Sequence, residues 1–214
     1  MHDVGDSLPV DALPPESILV SAPAMSGKYG LVLEFLLEGD RRGEGGLFVT
    51  TNESVVSIIP DFEELSGGAP ESLRFVDCVS EQQSVEERFP EDRVEYVASP
   101  GDMTGIGIGV SEQLRRFAGE EADRTRVVFD SLSTLLMYSE VETVFRFLHV
   151  LTGRIDGVDA AGLFTIDPTT HDDETVNTLK QLFDGAIELR DGDGGSEIRF
   201  LGLPDTPDGW ISFG

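Results

Sequence analysis

The chain reads as an α/β protein built on a mainly parallel sheet, with helices on both faces and an antiparallel edge. Three observations predict this class. Short runs of Val, Ile, Leu and Phe alternate with amphipathic stretches along most of the 214 residues. Gly, Pro, Asp and Asn mark the joins. Near the C-terminus two apolar runs meet across Asp191-Gly192-Asp193-Gly194-Gly195, as in a hairpin.

In chain order, residues 1–15 are polar and Pro-punctuated and read as an N-terminal arm, followed by a single domain over 16–214. A buried strand is expected at Ser17 to Ser21, then a loop and a helix from about Lys28 to Glu38. A second strand follows at Gly46 to Thr51. A helix over Val55 to Leu65 is closed by Gly67-Gly68, and a third strand covers Leu73 to Asp77. The segment Val79 to Pro100 is acidic and irregular, with a short strand at Val94 to Ala98. Ile106, Ile108, Val110, Leu114 and Phe117 place a helix over Thr104 to Ala118, with Gly119 as its stop. The strand Arg126 to Asp130 then leads into one long amphipathic helix from Leu132 to Leu151. A strand at Gly162 to Ile166, a helix at Asp173 to Phe183, and the strands Ala186 to Leu189 and Glu197 to Leu201 complete the chain. Neither an internal repeat nor a linker between two cores is visible.

Composition narrows the function. With 41 acidic against 15 basic residues the net charge is -26, and Lys28 and Lys180 are the only lysines. The charge runs along the whole chain rather than forming a tail, which fits a protein of a high-salt cytoplasm. Screening there shortens charge repulsion to about 3 Å at molar salt. A surface for basic partners is the alternative reading. Nucleic-acid binding through a broad basic face is not expected, because no Lys/Arg cluster is available to release phosphate counterions. Cys78 is the only cysteine, so no intramolecular disulfide can form; at the end of an apolar run it reads as a small core residue. Met1-His2-Asp3-Val4-Gly5-Asp6 has neither the cationic region nor the apolar core of a leader, and no apolar run approaches ~18 residues. A soluble cytoplasmic protein, away from membranes, is the expectation.

The most specific local signal is Ser21-Ala22-Pro23-Ala24-Met25-Ser26-Gly27-Lys28-Tyr29, between a strand and a helix. A phosphate-binding loop follows G-x-x-x-x-G-K-S/T: backbone amides cradle phosphates, the lysine reaches the terminal oxygens and the hydroxyl ligates Mg²⁺. Gly27 and Lys28 are kept, while Ser21 stands for the first glycine and Tyr29 for the hydroxyl residue. A phenol on a rigid ring is badly shaped for that metal position. Ala24 to Tyr29 are therefore candidate nucleotide-binding residues; the competing reading is a tight strand-to-helix turn with a solvated lysine.

Two carboxylates join the loop. Asp130 ends the run Val127-Val128-Phe129 and is placed to hold Mg²⁺ through water, the role of a carboxylate at the tip of a neighbouring strand. Otherwise Asp130, Ser131 or Ser133 caps the next helix. Glu53, after Asn52 at the end of the second strand, is positioned as a general base for an attacking water, or is simply a surface residue. The spaced glycines of Gly101 to Gly109 lack both the spacing and the preceding strand of a dinucleotide-binding turn, and read as a helix entry or close packing. His171, beside Asp172 and Asp173, reads as a loop hydrogen bond or cap rather than a metal ligand. No G-x-S-x-G is present to single out a hydrolase serine.

Taken together, the loop, Phe48-Val49-Thr50-Thr51-Asn52-Glu53-Ser54, Val127-Val128-Phe129-Asp130-Ser131-Leu132-Ser133 and Leu182-Phe183-Asp184-Gly185-Ala186-Ile187-Glu188-Leu189-Arg190 resemble the RecA superfamily of P-loop ATPases. Within that superfamily the chain is most similar to archaeal, haloarchaeal-type KaiC-like domains, over residues 15 to about 203. The resemblance implies a RecA-like core, ATP and Mg²⁺ as ligands, and assembly with protein partners or copies of itself. It also implies Lys28 on phosphate, Asp130 in the Mg²⁺ shell and Glu53 on the water. Ser21, Tyr29 and Asn52 depart from the family pattern, Asn52 standing where KaiC-like proteins carry the first of two adjacent acids. They imply a regulatory or assembly module with weak or absent hydrolysis; the alternative is an active Mg²⁺-dependent ATPase. If a neighbouring copy supplies a cation to the site, Arg190 and Arg199 are the candidates by position.

The charge balance yields a first prediction: repulsion among unscreened carboxylates destabilises the compact state in dilute buffer. The thermal midpoint followed by circular dichroism should rise steeply as KCl is added toward molar concentration. A salt-independent midpoint would refute the high-salt reading.

Overall fold

The computed structural model describes residues 16–68, 72–83, 92–119, 124–192 and 195–212. The expected arm at 1–15 and part of the irregular acidic segment lie outside them. The elements are β1 (Ser17–Ser21), α1 (Lys28–Arg41), β2 (Gly45–Thr50), α2 (Val55–Ser66), β3 (Leu73–Asp77), α3 (Ser80–Gln83), β4 (Val94–Tyr96) and α4 (Met103–Gly119). They continue with β5 (Thr125–Asp130), α5 (Leu132–Tyr138), α6 (Val141–Asp156), β6 (Ala161–Ile166), α7 (Asp173–Lys180), β7 (Gly185–Gly192), β8 (Gly195–Leu201) and β9 (Ile211–Ser212).

One sheet takes all the described strands, in the order β4-β3-β2-β5-β6-β1-β7-β8-β9. Its pairs are parallel from β4 through β7, and β8 and β9 add antiparallel. The α/β class, the mainly parallel sheet and the antiparallel C-terminal edge are thus as the sequence indicates.

Successive strand residues face opposite sides of the sheet. Ile18 and Val20 of β1, Phe48 of β2, Val128 of β5 and Ile187 of β7 join α1 and α2 in one core. Leu19, Leu47, Val49, Val127 and Phe129 join α4, α5, α6 and α7 in the other. Both faces are therefore covered, and the inner strands read as continuous apolar runs rather than alternating ones. Phe48, Phe62 and Phe75 pack edge-on and tilted on the first side; Phe129 stacks on Phe164 on the second. Gly109 lets α4 approach β3, since a Cβ there would lie 3.0 Å from Glu95 Cγ and 3.3 Å from Val76.

Several boundaries differ from expectation. The long helix over Leu132 to Leu151 is two helices, because Ser139 and Glu140 are extended (φ/ψ −151/152 and −63/149). Glu140 opens α6 with its carbonyl, which accepts from Thr143 and Val144. Both helices turn apolar faces to the same core, so the periodicity runs across the break unmarked. Helix α1 runs on to Arg41, α7 ends at Lys180, and β9 extends the edge beyond the hairpin. Among the described residues no helix is long and apolar enough to cross a membrane.

Two buried charges hold the sheet ends. Arg126, 6% exposed, pairs its Nε with Glu44 at 2.5 Å, donates from Nη1 to the Phe35 carbonyl at 2.9 Å, and lies over the Phe35 ring. A guanidinium so fully bonded beneath α1 fixes that helix over β5. Asp77, fully buried at the tip of β3, accepts from the amides of Val55, Val79 and Ser80 and from the Ser80 hydroxyl, at 2.6–2.9 Å. One carboxylate therefore starts α2 across the sheet edge as well as its own turn.

Asp77→Ala should destabilise the fold by about 3 kcal/mol, since three buried amides lose a charged acceptor together. Denaturant titration measures it; a loss below about 1 kcal/mol would contradict this role. Next to it, Cys78 is buried, and burial together with Asp77 and Asp102 raises its thiol pKa far above the usual range. The native protein should therefore resist iodoacetamide at neutral pH and react once unfolded, read by mass spectrometry.

Candidate functional site

The parallel sheet aligns the C-terminal ends of its strands on one edge, and the loop after β1 emerges there. Ser21 pairs with Ile166 of β6, and Ala22 N–H donates to the Ile166 carbonyl at 3.0 Å. Met25 (φ 61) and Gly27 (φ 88) both adopt left-handed backbone, and the chain winds directly into α1, whose N-cap is Gly27. No side chain caps α1. The Met25 side chain is 98% exposed. A small-residue loop that closes on an uncapped helix N-terminus is the backbone geometry of an anion cradle.

Polar groups of the protein itself fill the cradle. Lys28 folds back so that Nζ donates to the Ala22 carbonyl at 3.0 Å. The Ser26 hydroxyl, buried, donates to Pro23 O at 2.8 Å and faces into the loop. Asp167, just past β6, accepts from the Ala24 amide at 3.1 Å and also takes the Thr169 amide and hydroxyl at 2.9 and 2.6 Å. These bonds and the nearby Lys28 ammonium hold the Asp167 carboxyl below the ordinary carboxylate pKa, against the burial that opposes ionisation. An ionised carboxylate thus sits on a loop amide where a ligand's oxygen would accept.

Tyr29 turns away from the loop. Its hydroxyl donates to Asp61 Oδ2 of α2 at 2.7 Å, and its ring packs against the α1–α2 core. Burial first, then Asp61, Glu53 and Asp130, push the phenol pKa far above normal, so it is a neutral donor.

Asp130 ends β5 and is not a helix cap. Its Oδ1 accepts from the Thr165 hydroxyl and its Oδ2 from Asn52 Nδ2 at 3.2 Å. Ser131 is the N-cap residue of α5 without a side-chain cap bond, and Ser133 instead accepts from the Asp167 amide at 2.9 Å. The strand β6 intervenes between β5 and β1, so Asp130 reaches the site from two strands away rather than from the immediate neighbour. The turn after β5, whose Asp130–Ser131 peptide is cis, is tied to β2 through Thr51, which accepts from Ser131 N and donates to Ser131 O. Glu53 is exposed on the same edge, its amide and carbonyl bonded to the Thr50 hydroxyl. The strand ends thus bring Tyr29, Glu53 and Asp130 within electrostatic reach of one another, with Lys28 one residue before Tyr29 and turned toward Ala22 and Asp167. Among the described residues no group of three or more His, Cys, Asp or Glu could hold a metal ion.

Other expectations change. His171 occupies the C-cap position of the 3₁₀ turn Pro168–Thr170, but its side chain does not do the capping: Asp167 caps the start of that turn, Asp172 caps α7, and His171 Nε2 is buried without a partner among the described residues. Burial lowers the His171 pKa despite Asp167 and Asp172. Arg190 and Arg199, the candidate cations for a neighbour, are engaged at home. They pair with Glu197 and Glu188, and each guanidinium lies over the Trp210 ring, at 4.0 and 4.7 Å from its centroid. That indole closes a pocket of about 270 Å³ which also has Ser21, Pro23, Pro168 and Lys180 in its walls, directly beside the loop.

Asp61 and Asp167 were the residues hidden from sequence reasoning. Asp167-Pro168 carried a signal, a turn-initiating pair right after a strand whose end must lie on the loop's edge. Asp61 carried none, being one acid among several in an amphipathic helix.

Comparison with curated proteins finds no match. A family profile does match, over residues 15–189, which takes in β1, the loop, both candidate carboxylates and the strands through most of β7. The chain belongs to DUF7504, a family of unknown function.

Proposed function

We propose that the loop after β1 is a degenerate nucleotide site of a RecA-like, KaiC-like domain, and that the protein serves as a regulatory or assembly module with weak or absent ATP hydrolysis. The observation that carries the reading is the Tyr29 hydroxyl on Asp61, 2.7 Å away. The residue at the metal-hydroxyl position is committed to another helix, and Ser26 faces inward, so neither supplies a direct Mg²⁺ ligand. The residues fit a phosphate better than they fit the metal. Gly27, the α1 N-terminus and Lys28 favour an anion, and the Trp210-lined pocket gives space beside it for the rest of a nucleotide.

Asp167 restrains that binding. Its carboxylate must leave the Ala24 amide, or share it, when a phosphate enters, so occupancy opposes like charges at short range. Lys28 in turn exchanges the Ala22 carbonyl for phosphate oxygen. Glu53 would orient the attacking water and Asp130 would hold Mg²⁺ only through water, yet without a directly fixed metal the terminal phosphate lacks the charge neutralisation that phosphoryl transfer requires. Copies of the chain or protein partners would then read the bound state rather than a turnover cycle. The acidic surface suits a high-salt cytoplasm.

Calorimetry with ATP in molar KCl tests this. Binding should be weak, nearly indifferent to Mg²⁺, and abolished by Lys28→Ala. Tight Mg²⁺-dependent binding with turnover lost in Lys28→Ala would replace the proposal by the active-ATPase reading. Absence of binding at millimolar ATP would leave Lys28 a surface residue. Asp167→Asn keeps the cap to Thr169 and removes the charge, and should tighten ATP binding roughly tenfold, about 1–2 kcal/mol. An unchanged or weaker affinity would show that the carboxylate does not compete.

A further inference from the structure

On the opposite core from α1 and α2, helices α4 and α6 lie side by side, pinned by Arg154, whose Nη1 donates to the Gly107 carbonyl at 3.0 Å and also bonds Ser111. Two contiguous depressions of about 420 and about 620 Å³ run along their junction and share Ile108 and Arg154. The floor is apolar. Phe147 and Leu151 line it, and Ile108, Val150 and Val158 remain 54%, 55% and 49% exposed. Large apolar side chains clustered in one surface groove mark a binding face.

The charge of this groove is opposite to that of the chain. Arg115, Arg146 and Arg154 line it against a single carboxylate, Glu112, in a protein with 41 acidic and 15 basic residues. Arg41, Arg42, Arg126, Arg190 and Arg199 all pair with carboxylates, whereas these three make no ion pair among the described residues. Arg116 and Arg124 also make no ion pair among the described residues, but three such arginines around one apolar groove are complementary to an acidic ligand. The apolar floor favours a helix with one apolar face over a phosphate backbone, which would leave Phe147 and Ile108 uncovered.

We propose that the α4–α6 groove docks an amphipathic helix of a partner protein, its apolar stripe on Ile108, Phe147 and Val150 and its flanking Asp or Glu residues on Arg115 and Arg146. The groove lies on the core away from α1, and the proposal is independent of what the loop binds.

The test uses the full chain, in molar KCl and at lower salt, with a fluorescent helical peptide of ~18 residues carrying Leu at i, i+3, i+4 and i+7 and Glu elsewhere. A second peptide has Lys in place of Glu. Anisotropy should show the acidic peptide binding, with the preference over the basic one growing as salt falls. Ile108→Asp or Val150→Asp, both at exposed positions, should weaken it at least ~10-fold. Arg115→Glu with Arg146→Glu should reverse the preference while the circular dichroism spectrum stays unchanged. Preference of the unaltered protein for the basic peptide, binding untouched by Ile108→Asp, or displacement by a single-stranded oligonucleotide would overturn the proposal. So would a dimer in sedimentation velocity that Ile108→Asp dissolves, which would make a second copy the occupant.

Discussion

The parallel ladder between β1 and β6 is the constraint from which the site follows. Its register sets Ser21 beside Ile166, so the residues that leave each strand, Ala22 onward and Asp167 onward, leave the sheet together. Everything at the loop depends on that adjacency. The Ala24 amide finds Asp167, Asp167 finds Lys28, and Ser133 of α5 holds the Asp167 amide so that the carboxylate keeps its place. Slipping the register by one residue would turn the apolar side chains of β1 to the wrong cores and separate the two exits at once.

That ladder is dependable because β1 is enclosed. All five of its residues are buried, and it pairs with β6 on one side and β7 on the other. At its start, the Ser17 amide donates to the Asp184 carboxylate at 3.0 Å and the Asp184 amide returns to the Ser17 carbonyl at 2.9 Å. The strand is fastened at the end away from the loop, so the loop is presented by a rigid base. Rigid strands that present polar chemistry on the loops at their ends are the usual division between scaffold and site in open parallel sheets.

The fold was largely legible because buried parallel strands announce themselves as apolar runs. Val127 to Phe129 and Leu47 to Val49 could hardly be anything else. The interruption at Ser139 and Glu140 was not legible, since a break between two helices that share one face leaves the period intact. The site was readable in part: Gly27 and Lys28 point to an anion by residue type alone, and the misfit of Tyr29 at the metal position is visible in the sequence. Where its hydroxyl goes is not, because Asp61 lies 32 positions away on another helix. The same holds for Arg126 and Glu44, separated by 82 positions. Long-range polar partners are chosen by the assembled sheet, and no local pattern encodes them. His171 misled for a related reason: beside Asp172 and Asp173 in a loop, it read as a loop hydrogen bond or cap, yet Asp167 and Asp172 take the amides on either side of it.

The packing of Arg190 and Arg199 against Trp210 has an optical consequence. The chain contains one tryptophan, so all indole emission comes from a ring packed against two guanidinium groups at the wall that also includes Ser21 and Pro23. A change of occupancy at that wall, or a lifting of β9 from β8, alters the polarity and charge around a single fluorophore. The protein thus carries its own spectroscopic probe beside the loop, and its emission can be followed without a label.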